Sequence, residues 1–320
     1  MSKDRFLTVT GEIGREDLGH CQPHEHVYIV NTIDQLICDL ICMNNLPKSA
    51  EEMKLYRKAG GRTVVDANPL ATGRDALALQ DISKLSDVNI IATTGYHIPK
   101  FYPENHWIRE TSEEELAELF ASEVTEGMFM GGSYYRPTVR TDVKAGLIKA
   151  MILADGLENK ETVRCLRAAG RAAKQSGASI MVHTDGADEL RMIDLLCGKI
   201  GLAPSKVLVC HVDRQVKDLK RHEEIASTGV FMEYDTITLF QFHNNEEELR
   251  MLRHMIDKDF LNQILLSTDP ETDRMKSYGS MVGIDYILTH FIPLMKLYGF
   301  TAEEIMRITH ENPADALRIG

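Results

Sequence analysis

Short apolar, β-branched runs alternate with longer amphipathic segments along most of this chain of 320 residues. An apolar run of about four to eight residues is typical of a buried strand, whereas a longer segment with a period of about 3.6 residues is typical of a helix. Neighbouring runs are far enough apart in the sequence for a helix to connect them as parallel strands. The runs are 26–30, 62–67, 88–94, 146–152, 179–184, 207–213, 229–236 and 264–269.

Eight strands joined by crossover helices predict an α/β fold, the (β/α)8 TIM barrel. The alternative is an open doubly wound sheet, but no glycine-rich phosphate loop follows the first run. Before the barrel, residues 6–17 are predicted to form a short N-terminal β-hairpin. Since no proline-rich linker or low-complexity segment divides the sequence, we expect residues 1–320 to form a single domain.

Charge and cysteine content argue against several kinds of partner. The chain has 36 Lys and Arg against 48 Asp and Glu, a net charge of −12, and therefore lacks the basic surface that nucleic acids and anionic membranes require. It has no apolar stretch of the ~20 residues that span a membrane, and its start lacks the pattern of a secretory signal. Six cysteines without a Cys-x-x-Cys pair are typical of reduced thiols, so we expect a cytoplasmic protein.

Polar side chains that can bind a metal stand at the ends of several runs, and a TIM barrel forms its active site at the carboxyl ends of its strands. His24 and His26 are two residues apart, so an extended chain places both imidazoles on one face. Alone, this pair is equally consistent with a structural role. His183, His211 and Asp269 end three further runs, and a purely structural role for all these strand ends is difficult to argue.

Lys149 lies inside an otherwise apolar run, where an unpaired ammonium group carries a heavy desolvation cost. The two-residue period that starts at Leu147 directs Lys149 into the barrel. One interpretation is an ion-paired or snorkelling lysine. The other is an amine that burial keeps neutral and that reacts with carbon dioxide, which gives a carbamate able to bridge two metal ions.

The same period predicts that Val207, Val209 and His211 face inward and that Cys210 faces outward, as a packing residue rather than a ligand.

The number of candidate ligands indicates how many metal ions the site holds. Six groups are available, too many for one tetrahedral catalytic ion with an open position: His24, His26, Lys149, His183, His211 and Asp269. Two ions ~3.5–4 Å apart, bridged by the carbamate and a hydroxide, use all six. Imidazole and carboxylate ligands favour Zn, Mn, Co or Fe over Ca or Mg.

In this order, these residues resemble the phosphotriesterase family of the amidohydrolase superfamily. The resemblance runs nearly end to end and includes 68–70, 73–75, 94–97 and 311–314. It implies a (β/α)8 barrel with two divalent metal ions per subunit, zinc by expectation, bridged by Lys149 as N6-carboxylysine. It further implies that His24, His26 and Asp269 bind the more buried ion, and that His183 and His211 bind the more exposed one.

The family includes organophosphate hydrolases, acyl-homoserine lactonases and sugar lactonases, so the resemblance alone leaves the substrate open. Segments 101–107 and 273–279 look most similar to the sugar-lactone branch. The second segment places Arg274, Lys276 and Tyr278 just past the eighth run, where barrels commonly bind phosphate, although a solvated loop explains the two cations almost as well. That branch is expected to have a lysine near 240–243, and Gln241 lacks its charge.

We therefore predict a metal-dependent hydrolase that opens a sugar lactone, with or without a phosphate, by attack of a metal-bridging hydroxide. Asp269 is expected to accept the proton of that hydroxide and pass it to the leaving alkoxide, and His97 to contact the substrate or to have a structural role. The alternatives are a phosphotriesterase or acyl-homoserine lactonase with the same centre, a mononuclear deaminase-like hydrolase with unmodified Lys149, and a noncatalytic barrel. The resemblance also implies a homodimer.

Overall fold

The computed structural model describes residues 4–30, 41–97, 101–154, 156–186 and 188–320. The strands of its main sheet are β3 (Cys21–Glu25), β4 (Thr63–Asp66), β5 (Asn89–Gly95), β6 (Leu147–Leu153), β7 (Ser179–Asp185), β8 (Val207–Val209), β9 (Phe231–Tyr234) and β10 (Ile264–Leu266). They pair in parallel in the order of the sequence, from β3 to β10. The predicted (β/α)8 barrel is confirmed.

Hydrogen bonds between the last and first strands bring the two edges of the sheet together. The His24 amide donates to Ser267 Oγ over 2.9 Å, and the Asp269 amide donates to the His24 carbonyl over 3.3 Å. The Thr268 amide donates to Glu25 Oε1 over 2.9 Å. These contacts nearly close the barrel and also place Asp269 beside the end of β3.

The predicted hairpin precedes the barrel. It consists of β1 (Arg5–Thr8) and β2 (Gly11–Gly14), which pair antiparallel, and is followed by the short helix α1 (Arg15–Leu18). Phe6 and Leu18 are buried and pack with the inner residues of the barrel. The hairpin therefore contributes apolar side chains to the inner core.

Helices follow the strands and cover the sheet. They are α2 (Leu46–Lys58), α3 (Ala76–Ser86), α4 (Trp107–Glu110), α5 (Glu113–Thr125), α6 (Lys160–Ser176), α7 (Glu189–Ile193), α8 (Leu219–Ala226), α9 (Asn245–Asp257), α10 (Ile292–Leu297), α11 (Ala302–Met306) and α12 (Asn312–Leu317). Capping boxes begin α5 at Ser112 and α9 at Asn244. Gly177 ends α6 in the left-handed conformation that glycine adopts without strain.

In the described part of the chain, Cys21, Cys165, Cys197 and Cys210 are free thiols. Cys38 lies outside the described residues. Within the described ranges, no helix combines the length and the apolar composition that a membrane span needs.

Alternation along the strands separates an inner core from an outer core. The inner core includes Val65, Ile91, Leu147, Met181, Leu208 and Leu265. Their sequence neighbours Val64, Ile90, Ile148, Ile180, Val207 and Ile264 pack in the outer core with the helices. The predicted inward direction of Lys149 follows this alternation from Leu147.

Two sequence-based expectations about strands were wrong. The first barrel strand is Cys21–Glu25 rather than 26–30. The sequence pattern missed this strand because Pro23 and its polar residues are not typical of a buried strand, although all five of its residues are buried. On β8, Leu208 and Cys210 face inward, whereas Val207 and Val209 face outward. The strand ends at Val209, so a strict two-residue period does not extend to His211.

Candidate metal centre

The six predicted ligand groups lie at the carboxyl end of the barrel, on β3, β6 and β7 or just after β3, β8 and β10. Lys149 Nζ lies 2.9 Å from His24 Nε2, which lies 3.6 Å from Asp269 Oδ1. His26 Nε2 lies 3.1 Å from the same Asp269 oxygen. The fold therefore brings together side chains from β3, β6 and the loop after β10.

The remaining two imidazoles join this group from the neighbouring strands. His211 Nε2 lies 2.6 Å from His183 Nδ1, and the ring centroids of His211 and His24 are 5.1 Å apart. One potential ligand atom from each of His24, His211 and Asp269 lies within 4.8 Å of the others. These three ligand atoms are close enough together to share a metal ion.

Two of these residues have left-handed backbone conformations. His211 has a φ of 62° and Asp269 a φ of 44°, values that cost most side chains about 1–2 kcal/mol. His211 is the second residue after the end of β8, and its conformation allows the consecutive residues Cys210 and His211 both to face the interior. The backbone here is shaped to position side chains.

Asp235 is a buried carboxylate behind the imidazoles and was not among the residues predicted from the sequence. Its Oδ2 lies 2.7 Å from His24 Nδ1, and its Oδ1 lies 2.7 Å from His211 Nδ1. Burial alone would raise the pKa of Asp235, but His211 and His24 outweigh burial and hold this pKa below its ordinary value. Asp235 lies one residue before the end of the seventh predicted run, 229–236, so the strand-end pattern could have identified it.

With both Nδ1–H groups donated to Asp235, the Nε2 atoms of His24 and His211 present lone pairs to the centre. His26 is oriented similarly, since its Nδ1 lies 2.8 Å from Asn68 Oδ1. Burial, followed by the nearby Lys149 cation, lowers the pKa of His24 to about 4. Burial, followed by His211, lowers the pKa of His183 well below its ordinary value. Neutral imidazoles are the form that binds metal ions.

The Lys149 amine neither reaches solvent nor pairs with a carboxylate, the two usual ways in which a protein accommodates a buried lysine. It is 3% exposed, which excludes snorkelling to solvent. Besides His24, its Nζ lies 3.2 Å from Met181 Sδ and 3.9 Å from Cys210 Sγ. Among the described residues, no carboxylate lies within ion-pair distance of Lys149. The donor set and this uncompensated amine both fit a metal centre bridged by a modified lysine.

A further cation beside Asp269 was also missed. Arg214 Nη2 lies 3.3 Å from Asp269 Oδ2, and its guanidinium carbon lies 5.0 Å from the ring centroid of Phe242. His97 is close to the centre as well, with its ring centroid 6.5 Å from that of His183. Both side chains are therefore placed to meet a molecule bound at the metal centre.

The three residues predicted to bind phosphate make contacts within the protein. Arg274 is buried, and its Nη1 donates to the Thr268 carbonyl over 2.9 Å. Lys276 Nζ lies 2.7 Å from both carboxylate oxygens of Asp285. The Tyr278 hydroxyl lies 3.1 Å from Ser49 Oγ. A phosphate contact by these residues stays a prediction.

The chain is similar in sequence and structure to known hydrolases. The model of the phosphotriesterase family matches residues 4–317. A phospho-furanose lactonase of Mycoplasmopsis synoviae is 30% identical over 97% of this chain and 90% of that protein. The structure of an amidohydrolase from Mycoplasma synoviae has a TM-score of 0.93 at 28% identity and covers 100% of this chain and 93% of its own. A lactonase structure from Listeria monocytogenes has a TM-score of 0.86 at 26% identity over 99% of both chains.

Proposed function

This chain belongs to the phosphotriesterase family and is a hydrolase that acts on ester bonds, and we propose that it opens the ring of a sugar lactone. The observation that carries the proposal is the convergence of four imidazoles, Asp269 and Lys149 at the mouth of the barrel. The names of the relatives from Mycoplasmopsis and Listeria support a lactone as the substrate.

We propose that the centre holds two divalent ions, zinc by ligand type. His24, His26 and Asp269 would hold one ion, and His183 and His211 the other. When bound, such ions supply a water of lowered pKa and polarise the lactone carbonyl. Asp235 orients two of the imidazoles from behind, which is the usual role of a carboxylate next to a metal-ligating histidine.

Lys149 is proposed to bridge the two ions as N6-carboxylysine. Its Nζ lone pair would form a bond to the carbon of carbon dioxide, and one proton would leave, so that a carbamate anion replaces the amine. After this change Lys149 no longer needs an acidic partner, because the modified side chain is an anionic oxygen ligand whose charge the metal ions balance. The alternative of a mononuclear centre with an unmodified Lys149 would leave a buried amine without an acidic partner among the described residues.

Asp269 is proposed to be the proton carrier. It would accept the proton of the attacking water and return it to the ring oxygen as the C–O bond of the lactone breaks, so that a hydroxy acid is released. Its carboxylate is ionised when substrate arrives, because His24 and His26 outweigh burial and hold the pKa of Asp269 well below its ordinary value. His97, near His183, is proposed to contact the substrate ring.

A phosphate on the substrate is proposed to bind to the segment that contains Arg274, Lys276 and Tyr278. Binding there requires Lys276 to exchange its contact with Asp285 for the phosphate. Arg214, already beside Asp269, supplies positive charge next to Phe242, the sequence neighbour of the uncharged Gln241. We also retain the cytoplasmic location and the homodimer as predictions, and light scattering after size-exclusion chromatography tests the latter.

The test is a substrate panel with metal-reconstituted protein. It contains five-carbon and six-carbon aldonolactones with and without a terminal phosphate, an acyl-homoserine lactone and an aryl phosphotriester. We expect the highest kcat/KM for a sugar lactone. A higher value for the phosphotriester or the acyl-homoserine lactone would overturn the proposed substrate class, and no turnover of any ester would favour a noncatalytic barrel.

A further inference from the structure

A second group of buried ionisable side chains lies outside the candidate metal centre. Asp213 is in the turn after β8, His243 is in the loop after β9, and Glu248 is in the first half of α9. Asp213 and Glu248 are 0% exposed and His243 is 3% exposed. The mechanism proposed above uses none of the three, so their burial needs another explanation.

The distances within this cluster are those of ligands around a shared ion. His243 Nε2 lies 3.4 Å from Asp213 Oδ2 and 3.3 Å from Glu248 Oε2. Charge-assisted hydrogen bonds are shorter, about 2.7–2.9 Å. Ligand atoms at the corners of a tetrahedral zinc site, with bonds of about 2.0–2.1 Å, lie about 3.3 Å apart. All three ligand atoms fall within 4.8 Å of one another.

The cluster also contains buried polar atoms that hydrogen bonds do not satisfy. Within the described ranges, neither carboxylate oxygen of Glu248 has a hydrogen-bond partner, and the same is true of Asp213 Oδ1 and His243 Nδ1. Two carboxylates so close together repel each other, and burial without compensation adds several kcal/mol of cost. A dication between them would neutralise both charges and give Glu248 a partner.

We propose that Asp213, His243 and Glu248 bind a further divalent metal ion, zinc by ligand type, that is separate from the two proposed for the reaction. One imidazole and two carboxylates are a ligand set for zinc or a neighbouring first-row ion. Thr236 Oγ1 lies 3.0 Å from His243 Nε2, so a hydroxyl group also lies next to the proposed position of the ion.

This ion would tie the two loops that support the candidate metal centre to helix α9. The loop after β8 contains His211 and Arg214 as well as Asp213, and Thr236 directly follows Asp235. The Thr236 amide donates to Asp213 Oδ2 over 2.7 Å, so the two loops are already in contact. The inference does not rest on the proposed reaction, because it concerns ligands that the reaction does not use.

The decisive experiment is anomalous diffraction from wild-type crystals grown with zinc, with data on both sides of the zinc absorption edge. We expect an anomalous peak among Asp213, His243 and Glu248, at about 2.0–2.2 Å from their ligand atoms. Density for a water, or no peak at this position while the catalytic positions are occupied, would overturn the proposal. Wild-type protein makes this result independent of how any variant folds.

Metal counting provides an independent measurement. After dialysis against metal-depleted buffer, Glu248→Gln is expected to contain one zinc equivalent per chain fewer than wild type. Glu52→Gln is the matched control, since Glu52 is also buried but accepts backbone hydrogen bonds from Ser277 and Ile284. The same loss of one equivalent is expected when Glu248→Gln is added to Lys149→Ala, which separates this site from the proposed reaction centre. An unchanged zinc content in both backgrounds would contradict the inference.

Discussion

Lys149 Nζ lies 2.9 Å from His24 Nε2, in a part of the barrel where the lysine is 3% exposed and has no carboxylate within ion-pair distance among the described residues. As an ammonium group, Lys149 would donate a hydrogen bond to the Nε2 lone pair of His24 but would keep a buried positive charge that no nearby carboxylate balances. A carbamate between two cations has balanced charge.

Lys149→Ala should lose most of the bound metal, and kcat/KM should fall by more than about 100-fold, the upper range for loss of groups that merely support metal ligands. Short carboxylic acids should restore part of the activity, because they can occupy the space of the missing carbamate. Metal analysis and lactone kinetics with and without acetate measure both effects. Lys84→Ala, at an exposed position on α3, is the control. Full activity of Lys149→Ala would refute the bridging role.

Asp235→Asn should weaken metal affinity by about 10–100-fold. An asparagine oxygen can accept one Nδ1–H, but its NH2 group cannot accept the other, so either His24 or His211 loses its orientation. Competition with a chelator measures the change in affinity. The control is Asp87→Asn at an exposed helix end. If Asp235→Asn bound metal as tightly as wild type, Asp235 would not orient the ligands.

Arg274→Ala should raise KM for phosphorylated lactones by about 10–100-fold, which corresponds to the loss of a charged hydrogen bond. KM for the same lactones without phosphate should change little, since those substrates lack the anionic group. Steady-state kinetics on matched pairs of lactones measure the difference. Equal increases in KM for the phosphorylated and the unphosphorylated lactone would show that Arg274 does not recognise the phosphate and would indicate a general loss of structure.

Arg214→Gln should show whether the cation beside Asp269 also recognises the phosphate. The substitution removes the charge, while Phe242 on which the guanidinium packs is left unchanged. We expect a selective increase in KM for phosphorylated lactones, of the same order as for Arg274→Ala. A fall in kcat of equal size for neutral and phosphorylated lactones would instead assign Arg214 to the positioning of Asp269.

His20 should make the stability of the protein depend on pH. Burial, with a smaller effect of His310, lowers the pKa of His20 to about 3, below about 6.5 in the unfolded chain. Between pH 6.5 and 3, the unfolded chain binds a proton at His20 that the folded protein does not bind. The free energy of unfolding therefore falls by about 1 kcal/mol for each pH unit as the pH drops below ~6.5. His20→Gln removes this contribution.

Denaturation midpoints of wild type and His20→Gln, measured from pH 7 to 4, test this effect. The free energy of unfolding should fall more steeply with acidification in wild type than in the variant. His290→Gln, at an exposed position, controls for the loss of an imidazole. Parallel curves for wild type and His20→Gln would show that His20 does not contribute.

Strands with regular alternation were predictable from the sequence, and those without it were not. On β6, the two-residue period that starts at Leu147 correctly directs Lys149 inward, toward His24. On β3, Pro23 and the polar residues hide the strand, since its stabilising contacts come from the neighbouring strands rather than from an apolar pattern. The inward direction of Cys210 was missed because the two-residue period was extended to His211, whereas β8 ends at Val209.

The sequence by itself determined the barrel and the side chains that meet at its mouth, because strand period and strand-end position depend only on residues close together in the chain. Only the tertiary structure decided that Asp235 joins His24 to His211, since His24 and Asp235 are 211 positions apart and no local pattern links them. It likewise placed Arg214 beside Asp269 and left Lys149 without an acidic partner among the described residues, because both relationships depend on how separate strands pack around one axis.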